Sequence, residues 1–563
     1  MILLLLSACF ALAALAWAGL VFSIVIKRLA NIQNWRPGLP ELLMIGIVGL
    51  TGIASLLSLL LPISGPVVCG IWVVCSLIGA AFYKTIRPEV HLLIRKLIDG
   101  DRTAWLCGIA YLLAVVFIAA GEQGNSDTGL YHAQSVKWIV HYGVVPGLGN
   151  LHPRFGYNSS WFVFSALWDQ FLFRGLSYHL VNLLIYMVGG LLSLRGAIAV
   201  SKGQRNIFSF LECGTVFPLI LLRLYVSSLS PDIPEAIAVF FAIIIAVRLM
   251  EQPNMPPGER NGQFITLCLL SAFAMTVKLS GVPCLLFCLA CATRMQPRTI
   301  WLGGISIALI LAGFLSRNVM ISGYLVYPLP EVDLFNVDWK ISPERARFEK
   351  EIIHLWGIRP QIEYREFAAK GILHWFPWWF VHKLHTEKLN FLAFCLDLLQ
   401  FPLLAFFTWK SRSFPLRRML IPSFICLCGV TFWLVNAPDF RFGFGWVMGA
   451  ALLAISIVLS SSGYNLGWSL RKFIPSALTI VLILMMVRGA DKHSFRQDPS
   501  LLLFKLLPLP IEPMLTQIIP PGQVIYYPAN TDRAWDAPLP SANHEVPGLM
   551  LRGNTLREGF RKE

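Results

Sequence analysis

One acidic residue stands where an apolar stretch gives way to a polar segment. Asp127 follows the apolar run 104–120, within the sequence Gly121–His132. A carboxylate at such a boundary can accept a proton from a hydroxyl group, because it is ionised at neutral pH. A helix that begins at Ser126 or Asp127 brings Tyr131 to the same face, four residues further on. The structural alternative is that Asp127 is the N-cap of that helix.

Two histidines and an arginine follow in the same polar segment. His132 closes the sequence around Asp127, and His152 and Arg154 lie in Leu151–Trp161. Imidazole titrates near neutral pH, so either histidine can orient a substrate or assist a proton transfer. At a membrane interface a histidine can equally be a structural hydrogen-bonding group. We take both histidines, together with Arg154, as candidate substrate-binding residues.

Three cations lie at the ends of separate apolar segments, namely Lys278, Arg317 and Arg441. A phosphate that departs as an anion needs such charges. Arginine contacts phosphate through two parallel hydrogen bonds, whereas lysine acts as a point charge. A helical bundle can bring the three cations together although they are distant in sequence. Alternatively, each side chain extends to the lipid headgroups, as basic residues near a membrane boundary do.

Acidic residues at two further segment ends complete the candidate set. Asp232 and Glu235 lie in Ser230–Glu235, and Asp439 lies in Asn436–Gly443. Asp232 and Glu235 can bind hydroxyl groups or cap the helix that follows. A divalent cation, Mg²⁺ or Mn²⁺, is a further alternative, with Asp127, Asp232 or Glu235 as its ligands.

The composition indicates that the chain is a membrane protein, so membrane-spanning helices must position these residues. Of 563 residues, 56% are hydrophobic and 14% are charged, which lies far outside the composition of soluble domains. Apolar segments of roughly 17 to 25 residues recur, each long enough to cross about 30 Å of hydrocarbon. We therefore predict an all-α, polytopic transmembrane helical bundle of about fourteen spans: 2–26, 40–61, 65–83, 104–120, 178–200, 212–229, 235–250, 263–277, 280–294, 300–320, 390–408, 419–436, 442–461 and 473–488.

Basic residues beside the span ends predict the orientation. Lys27, Arg28 and Arg36 follow the first span, and positive loops face the cytoplasm. Alternation then places the other basic loops on the same side and Asp127 on the outer face. The net charge of +15 is explained as an orientation signal and a contact with anionic headgroups, so no nucleic-acid partner is predicted. The expected location is a bacterial inner (plasma) membrane, with the candidate residues facing the periplasm or the exterior.

The predicted organisation has four parts. They are 1–103 (N-terminal extra spans), 104–460 (a core with outer loops 121–177 and 321–389), 461–488 (the last span) and 489–563 (a proline-rich extracytoplasmic tail). We expect two helices along the membrane surface in 121–177, separated by a break at Tyr142–Gly143. The tail contains one strand-like run, 523–527.

These motifs resemble the GT-C superfamily of glycosyltransferases, which take sugars from polyprenyl-phosphate carriers. The resemblance begins with an outer-face Asp, two juxtamembrane helices and the His-Pro element at His152. It continues through Ser230–Glu235, Thr276–Val277–Lys278, Arg317–Asn318 and Asn436–Gly443. It covers roughly 104–460 and looks closest to a bacterial GT-C-like family of multi-span proteins. The Asp-Glu pair of some branches is Asp127–Thr128 here, so the base assignment rests on one carboxylate.

The resemblance implies a transfer of one sugar, with inversion, from a polyprenyl-phosphate donor to a glycan, lipid or protein acceptor at the outer face. Asp127 would be the general base, and Lys278, Arg317 and Arg441 would bind the carrier phosphate. The remaining candidates would contact the substrates: His132, His152, Arg154, Asp232, Glu235 and Asp439.

Other functions stay open. The chain has no phosphate-binding Gly-x-x-x-x-Gly-Lys-Ser/Thr motif and no large cytoplasmic domain, so an activated substrate would arrive from the lipid. A polymerase or ligase of surface polysaccharide would use a lipid diphosphate, and His354, Arg359 and Arg365 in the second outer loop suit it. A flippase or transporter of lipid-linked glycans predicts ionisable residues near the midplane, for which Arg223 is the candidate. A non-catalytic scaffold is a further alternative.

Overall fold

The structure is a computed structural model that describes residues 1–98, 101–358, 365–411, 417–461, 471–488 and 505–562. The prediction of an all-α transmembrane bundle is confirmed, because helices make up most of the described chain and the strands lie only near its C-terminal end. Residues 489–504 of the predicted tail and Arg359 lie outside the described residues.

The helices follow one another in this order. The N-terminal part contains α1 (Ile2–Ala30), α2 (Leu39–Leu57), α3 (Gly65–Ala81), α4 (Tyr83–Ile98) and α5 (Arg102–Ala119). The first predicted outer loop contains α6 (Ala133–Tyr142), α7 (Leu148–Leu151) and α8 (Ser160–Trp168). Next come α9 (Val181–Ser201), α10 (Ile207–Gly214), α11 (Val216–Leu221), α12 (Asp232–Glu251), α13 (Pro257–Val277), α14 (Cys284–Ala292) and α15 (Pro297–Ser322). The remainder are α16 (Pro343–Ile358), α17 (Arg365–Ala369), α18 (Ile372–Thr386), α19 (Lys388–Ser411), α20 (Leu420–Asn436), α21 (Phe440–Ser461) and α22 (Ile474–Arg488).

The predicted count of about fourteen spans is not confirmed. In the described part of the chain, eight helices are long and apolar enough to cross a membrane, or nine if α3 and α4 form one bent span. These two helices meet at an angle of 97°. Segments predicted as full spans at 212–229 and 280–294 correspond to shorter helices, 207–221 and 279–292. The hydropathy of these segments predicts that they are apolar, but it does not predict where each helix ends.

The first outer loop is built differently from two surface helices. A π-helical turn, Thr128–His132, leads into α6, which ends at Gly143 with φ at 76°. A Cβ at Gly143 would lie 2.6 Å from the carbonyl oxygen of Ser58, so the turn requires glycine. Helix α8 is buried between α2, α6, α9 and α13, which corrects the expectation that it lies amphipathically along the membrane. Its aromatic residues pack against other helices and not against lipid.

The C-terminal residues 505–562 form a small appendage that packs on the first outer loop. Two antiparallel pairs, β1 (Met514–Ile519) with β2 (Gln523–Pro528) and β3 (Leu549–Leu551) with β4 (Phe560–Lys562), confirm the strand-like run. The backbone N–H of Trp535 donates to the Gly129 carbonyl at 2.9 Å, and that of Phe560 donates to the Pro146 carbonyl at 2.9 Å. The appendage therefore lies at the same end of the bundle as Asp127, which we call the upper end.

Buried charges join four helices at the opposite, lower end. The Arg195 guanidinium of α9 lies 2.6 Å from the Glu41 carboxylate of α2 and 2.7 Å from the Glu212 carboxylate of α10. Arg248 of α12 contacts both glutamates as well. Two arginines thus neutralise two glutamates, and the network ties the N-terminal spans to the rest of the bundle.

Candidate active site

A cavity of about 470 Å³ opens at the upper end of the bundle. Its wall includes the π-helical turn, a 3-10 turn at Pro153–Tyr157, and the upper ends of α12, α13, α20 and α21. The second outer loop and the appendage complete it. The charged side chains that line it are Asp127, Arg154, Asp232, Lys278, Lys350, Arg441, Asp532 and Arg533. Five cations face three carboxylates, so the cavity carries an excess of positive charge.

Asp127 projects into this cavity and does not cap a helix. The carboxylate makes no capping hydrogen bond. One of its oxygens accepts a hydrogen bond from Arg441 Nη1 at 3.0 Å, and the other lies 3.9 Å from Arg154 Nη1. The π-helical turn that follows Asp127 is closed by a hydrogen bond from the Ala133 N–H to the Thr128 carbonyl. Such turns occur frequently at functional sites.

Arg441 links two carboxylates of the cavity wall. Besides Asp127 it reaches Asp232, with Nε 3.8 Å from Oδ2. Lys278 Nζ also donates to Asp232. The ring of Phe442 lies beneath both cations, 3.8 Å from Lys278 Nζ and 4.6 Å from Arg441 Cζ. Asp439 places Arg441 here, because its carboxylate accepts from the Arg441 backbone N–H at 2.9 Å as α21 begins.

The two acidic residues of α12 occupy different positions. Asp232 lines the cavity and accepts a hydrogen bond from Ser230 Oγ at 2.9 Å. Glu235 is buried behind the wall, where its carboxylate accepts from Ser280 Oγ at 2.9 Å. Both carboxylates lie in the first turn of α12, where negative charge is favourable, and their side-chain hydrogen bonds go to Ser230, Lys278 and Ser280.

His132 is a buried cavity residue without a hydrogen-bonding partner among the described residues. Both ring nitrogens lack one, although the ring packs at 4.4 Å from that of Tyr131 and 5.1 Å from that of Phe162. Burial lowers the pKa of His132 to about 4. At neutral pH the imidazole is therefore uncharged and presents one donor and one acceptor.

Two further candidates lie outside the cavity wall. His152 Nδ1 accepts from the Arg154 backbone N–H at 3.3 Å, so this histidine caps the 3-10 turn, and burial lowers its pKa well below the usual range. Arg317 donates from Nε to Asn158 at 3.0 Å and from Nη1 to Ser58 at 2.6 Å. It braces α15 against α2 and the turn that carries Arg154.

The ten candidate residues selected from the sequence fall into two groups, according to whether they line the cavity. Six line one cavity: Asp127, His132, Arg154, Asp232, Lys278 and Arg441. Four support it from outside the wall: His152, Glu235, Arg317 and Asp439.

Other residues of the cavity could not be predicted from the sequence. Tyr157 lines the wall and donates from its hydroxyl to the Glu349 carboxylate at 2.8 Å. Tyr327 comes from the second outer loop, and Asp532 and Arg533 come from the appendage. Tyrosines near a membrane boundary resemble any interfacial belt, and the tail contains no motif that points to the cavity.

The donor groups do not fit a preassembled divalent-cation site. Among the described residues, no group of three or more His, Cys, Asp or Glu side chains is arranged to bind a metal ion. Asp127 and Asp232 face guanidinium and ammonium groups, and Glu235 faces Ser280. No chemical step is therefore assigned to Mg²⁺ or Mn²⁺.

The residues that favoured other functions lie elsewhere. His354 Nδ1 is 3.3 Å from the Asn436 carbonyl oxygen, outside the cavity lining, and Arg365 is the first residue of α17. Arg223 is half-buried and donates to the Ile220 carbonyl at 2.8 Å.

Comparisons with known proteins found a family model and a similar solved structure. The family model described as "Domain of unknown function (DUF8201)" matches residues 1–448. No curated protein matches the chain. Among solved structures, the cryo-EM structure of the arabinosyltransferase EmbB from Mycobacterium smegmatis is similar, with 12% sequence identity and a TM-score of 0.35. The match covers 76% of this chain and 42% of that chain, so this chain spans less than half the length of EmbB.

Proposed function

The chain belongs to the family of the domain of unknown function DUF8201, and from the chemistry of its cavity we propose that it is an integral-membrane glycosyltransferase of GT-C type. It would transfer a sugar from a polyprenyl-phosphate carrier to a glycan, lipid or protein acceptor. The proposal rests on one observation: Asp127, Lys278 and Arg441 line the same cavity, at the ends of membrane spans.

Asp127 is the proposed general base. Arg441 and Arg154 lie beside its carboxylate and hold it in the cavity, where an acceptor hydroxyl can approach it. The acceptor hydroxyl oxygen attacks the anomeric carbon while the bond from that carbon to the phosphate oxygen breaks. The electron pair leaves with the phosphate, and the hydroxyl proton passes to Asp127. A single displacement of this kind inverts the anomeric centre.

Arg441 and Lys278 are the proposed site for the leaving phosphate. Both line the cavity and bind carboxylates of its wall, so their charges suit an oxyanion. A phosphate would take over some of these contacts, since the lining has more cations than carboxylates. Negative charge grows on the phosphate oxygen as its bond to the sugar breaks. The cations therefore stabilise the transition state more than the bound substrate.

The remaining wall suits a sugar and an isoprenoid chain. His132 offers a donor and an acceptor to sugar hydroxyls, and the ring of Tyr131 lies beside it. An apolar side formed by Val277, Leu279 and Phe432 suits the carrier lipid. The volume of about 470 Å³ lies in the usual range for small-molecule sites.

The appendage is the proposed boundary on the acceptor side. Asp532 and Arg533 contribute charged groups to the rim, and Gln134 of α6 fixes the following segment by donating to the Trp535 carbonyl at 2.9 Å. We propose that this rim faces the periplasm or the exterior, because basic loops lie at the lower end and such loops tend to face the cytoplasm.

The test uses the purified full-length protein in liposomes with radiolabelled polyprenyl-monophosphate sugars. We expect transfer by the wild type and a loss of at least about a hundredfold in Asp127→Asn, which keeps the shape but removes the base. Asp333→Asn is the matched control, because Asp333 is an exposed outer-loop carboxylate paired with Lys340 outside the cavity. Equal transfer by wild type and Asp127→Asn would remove Asp127 as the base.

Parallel reactions separate the alternatives. Activity with polyprenyl-diphosphate glycans, but not with monophosphate sugars, would identify a polymerase or ligase. Movement of a fluorescent lipid-linked glycan across the bilayer without sugar transfer would identify a flippase.

A further inference from the structure

A second cavity, of about 590 Å³, lies among arginines at the lower end of the bundle. Its lining comprises Leu249, Pro253, Arg260, Arg294, Arg417, Arg418 and Ile421. These residues come from the lower ends of α12, α13, α14 and α20. The upper ends of α12, α13 and α20 line the candidate active site, so the two cavities lie at opposite ends of the same helices. The 20 residues of α12 correspond to about 30 Å of separation.

Three arginines of this cavity differ in their ion pairing from an arginine nearby. Arg248, next to Leu249, belongs to the neutral network with Glu41 and Glu212. In contrast, Arg260, Arg294 and Arg417 form no ion pair with any carboxylate that the structure describes, and no acidic residue lines the cavity.

The acidic residues that flank this cavity in sequence are engaged elsewhere. Glu251 accepts from the backbone N–H of Ile207 at 2.9 Å, and Glu259 accepts from Gln263 at 2.9 Å. Converging cations at a partly apolar membrane boundary repel one another unless an anion lies between them.

We infer that this lower cavity is a binding site for a phosphate-bearing anion. The guanidinium groups suit phosphate oxygens bidentately, and Leu249 and Ile421 give the cavity an apolar side on which an acyl chain can lie. The ligand chemistry is thus a phosphate group, carried by an anionic lipid headgroup or free in solution. Membrane orientation explains why the lower loops are basic, but it does not require arginines at the ends of three helices to share one cavity.

This site does not depend on the proposed glycosyl transfer. It lies at the other end of the helices, and none of its residues lines the upper cavity. Binding can therefore be tested without any sugar substrate.

Binding is measured on the full-length protein by native mass spectrometry, titrated with phosphatidylglycerol, with phosphatidylcholine, or with inorganic phosphate at constant ionic strength. The test variant is Arg294→Gln/Arg417→Gln. The matched control is Lys84→Gln/Arg87→Gln, which removes the same charge from exposed positions of α4 outside the cavity. Helix α4 lies at the same end, because Arg28 of α1 donates to Thr85.

We expect phosphatidylglycerol to bind the wild type and the control with similar affinity, and the test variant at least about tenfold more weakly, since charge-assisted contacts are lost. Arg294→Lys/Arg417→Lys keeps the charge and should bind with intermediate affinity. Competition by inorganic phosphate would assign a soluble phosphate, and no competition would assign the lipid headgroup. Equal binding by wild type and test variant, or no preference over phosphatidylcholine, would overturn the inference. If the glutamine variant does not fold, two measurements still test the inference. They are the preference of the wild type for phosphatidylglycerol over phosphatidylcholine, and the affinity of the lysine variant.

Discussion

Replacing Arg441 with glutamine removes a guanidinium that lies beside both Asp127 and Asp232. Its guanidinium lies 3.0 Å from the first carboxylate and 3.8 Å from the second. At an effective dielectric constant of about 20, each gross Coulomb term is roughly 4 to 6 kcal/mol. Because desolvation offsets most of this, a charge-assisted hydrogen bond contributes only about 1.5 to 3 kcal/mol net.

The net free energy of a charge-assisted hydrogen bond also sets the expected effect on catalysis. If Arg441 binds the leaving phosphate, its loss should raise the barrier by about 3 kcal/mol, which corresponds to a decrease in kcat/KM of roughly a hundredfold. The decrease should appear mainly in kcat, since charge on the phosphate develops in the transition state. Steady-state transfer from a radiolabelled polyprenyl-phosphate sugar measures both constants.

The control is an arginine of similar pairing outside the cavity. Arg552 binds Asp338 through two contacts of 2.9 and 3.0 Å on the outer part of the protein. Arg552→Gln should therefore leave kcat/KM within about threefold of the wild-type value. The assignment of Arg441 to the phosphate would be refuted if Arg441→Gln matched this control while remaining folded by circular dichroism.

Three further predictions concern stability and metal dependence. Glu212→Gln breaks the buried network with Arg195 and Arg248, and should lower the free energy of unfolding by about 3 to 5 kcal/mol in detergent-based denaturant titrations; an unchanged unfolding midpoint would contradict this. His132 has a pKa lowered to about 4, so between pH 6.5 and 4 the unfolded chain binds a proton that the folded chain does not. Stability should be complete above pH 6.5 and fall by up to about 3 kcal/mol toward pH 4, and His132→Gln should flatten this part of a thermal-shift profile against pH. Sugar transfer should persist in EDTA, because the cavity carboxylates face Arg441, Arg154 and Lys278; loss of transfer that Mg²⁺ or Mn²⁺ restores would show otherwise.

Much of the helical layout was predictable because hydropathy is local. Each apolar segment predicted as a span contains helix in the structure, and Asp127, Lys278 and Arg441 lie near helix ends as expected. The number of full spans was not predictable in the same way, because a break such as the one between α10 and α11 depends on packing as well as composition.

The candidate site was predictable only in part. Residue type and position selected Lys278 and Arg441, which line the cavity, and also Arg317, which braces α15 through Asn158 and Ser58. All three are cations near segment ends, so sequence alone could not separate them. Each of these cations is paired with residues on other helices or turns, 46 positions away for Lys278 and more than a hundred for Arg317 and for the Asp127 partner of Arg441.

The sequence by itself determined that this chain crosses a membrane repeatedly and that its charged residues collect at the span ends, because bilayer thickness and the cost of burying charge act on each segment separately. Only the tertiary structure decided that Asp127, Asp232, Lys278 and Arg441 share one cavity, and that Asp532 and Arg533 of the appendage line it as well. It also decided that several arginines share a second cavity, which has no acidic residue among its described lining residues. Those juxtapositions depend on which helices pack together, and packing is a property of side chains that are distant in sequence and complementary in shape.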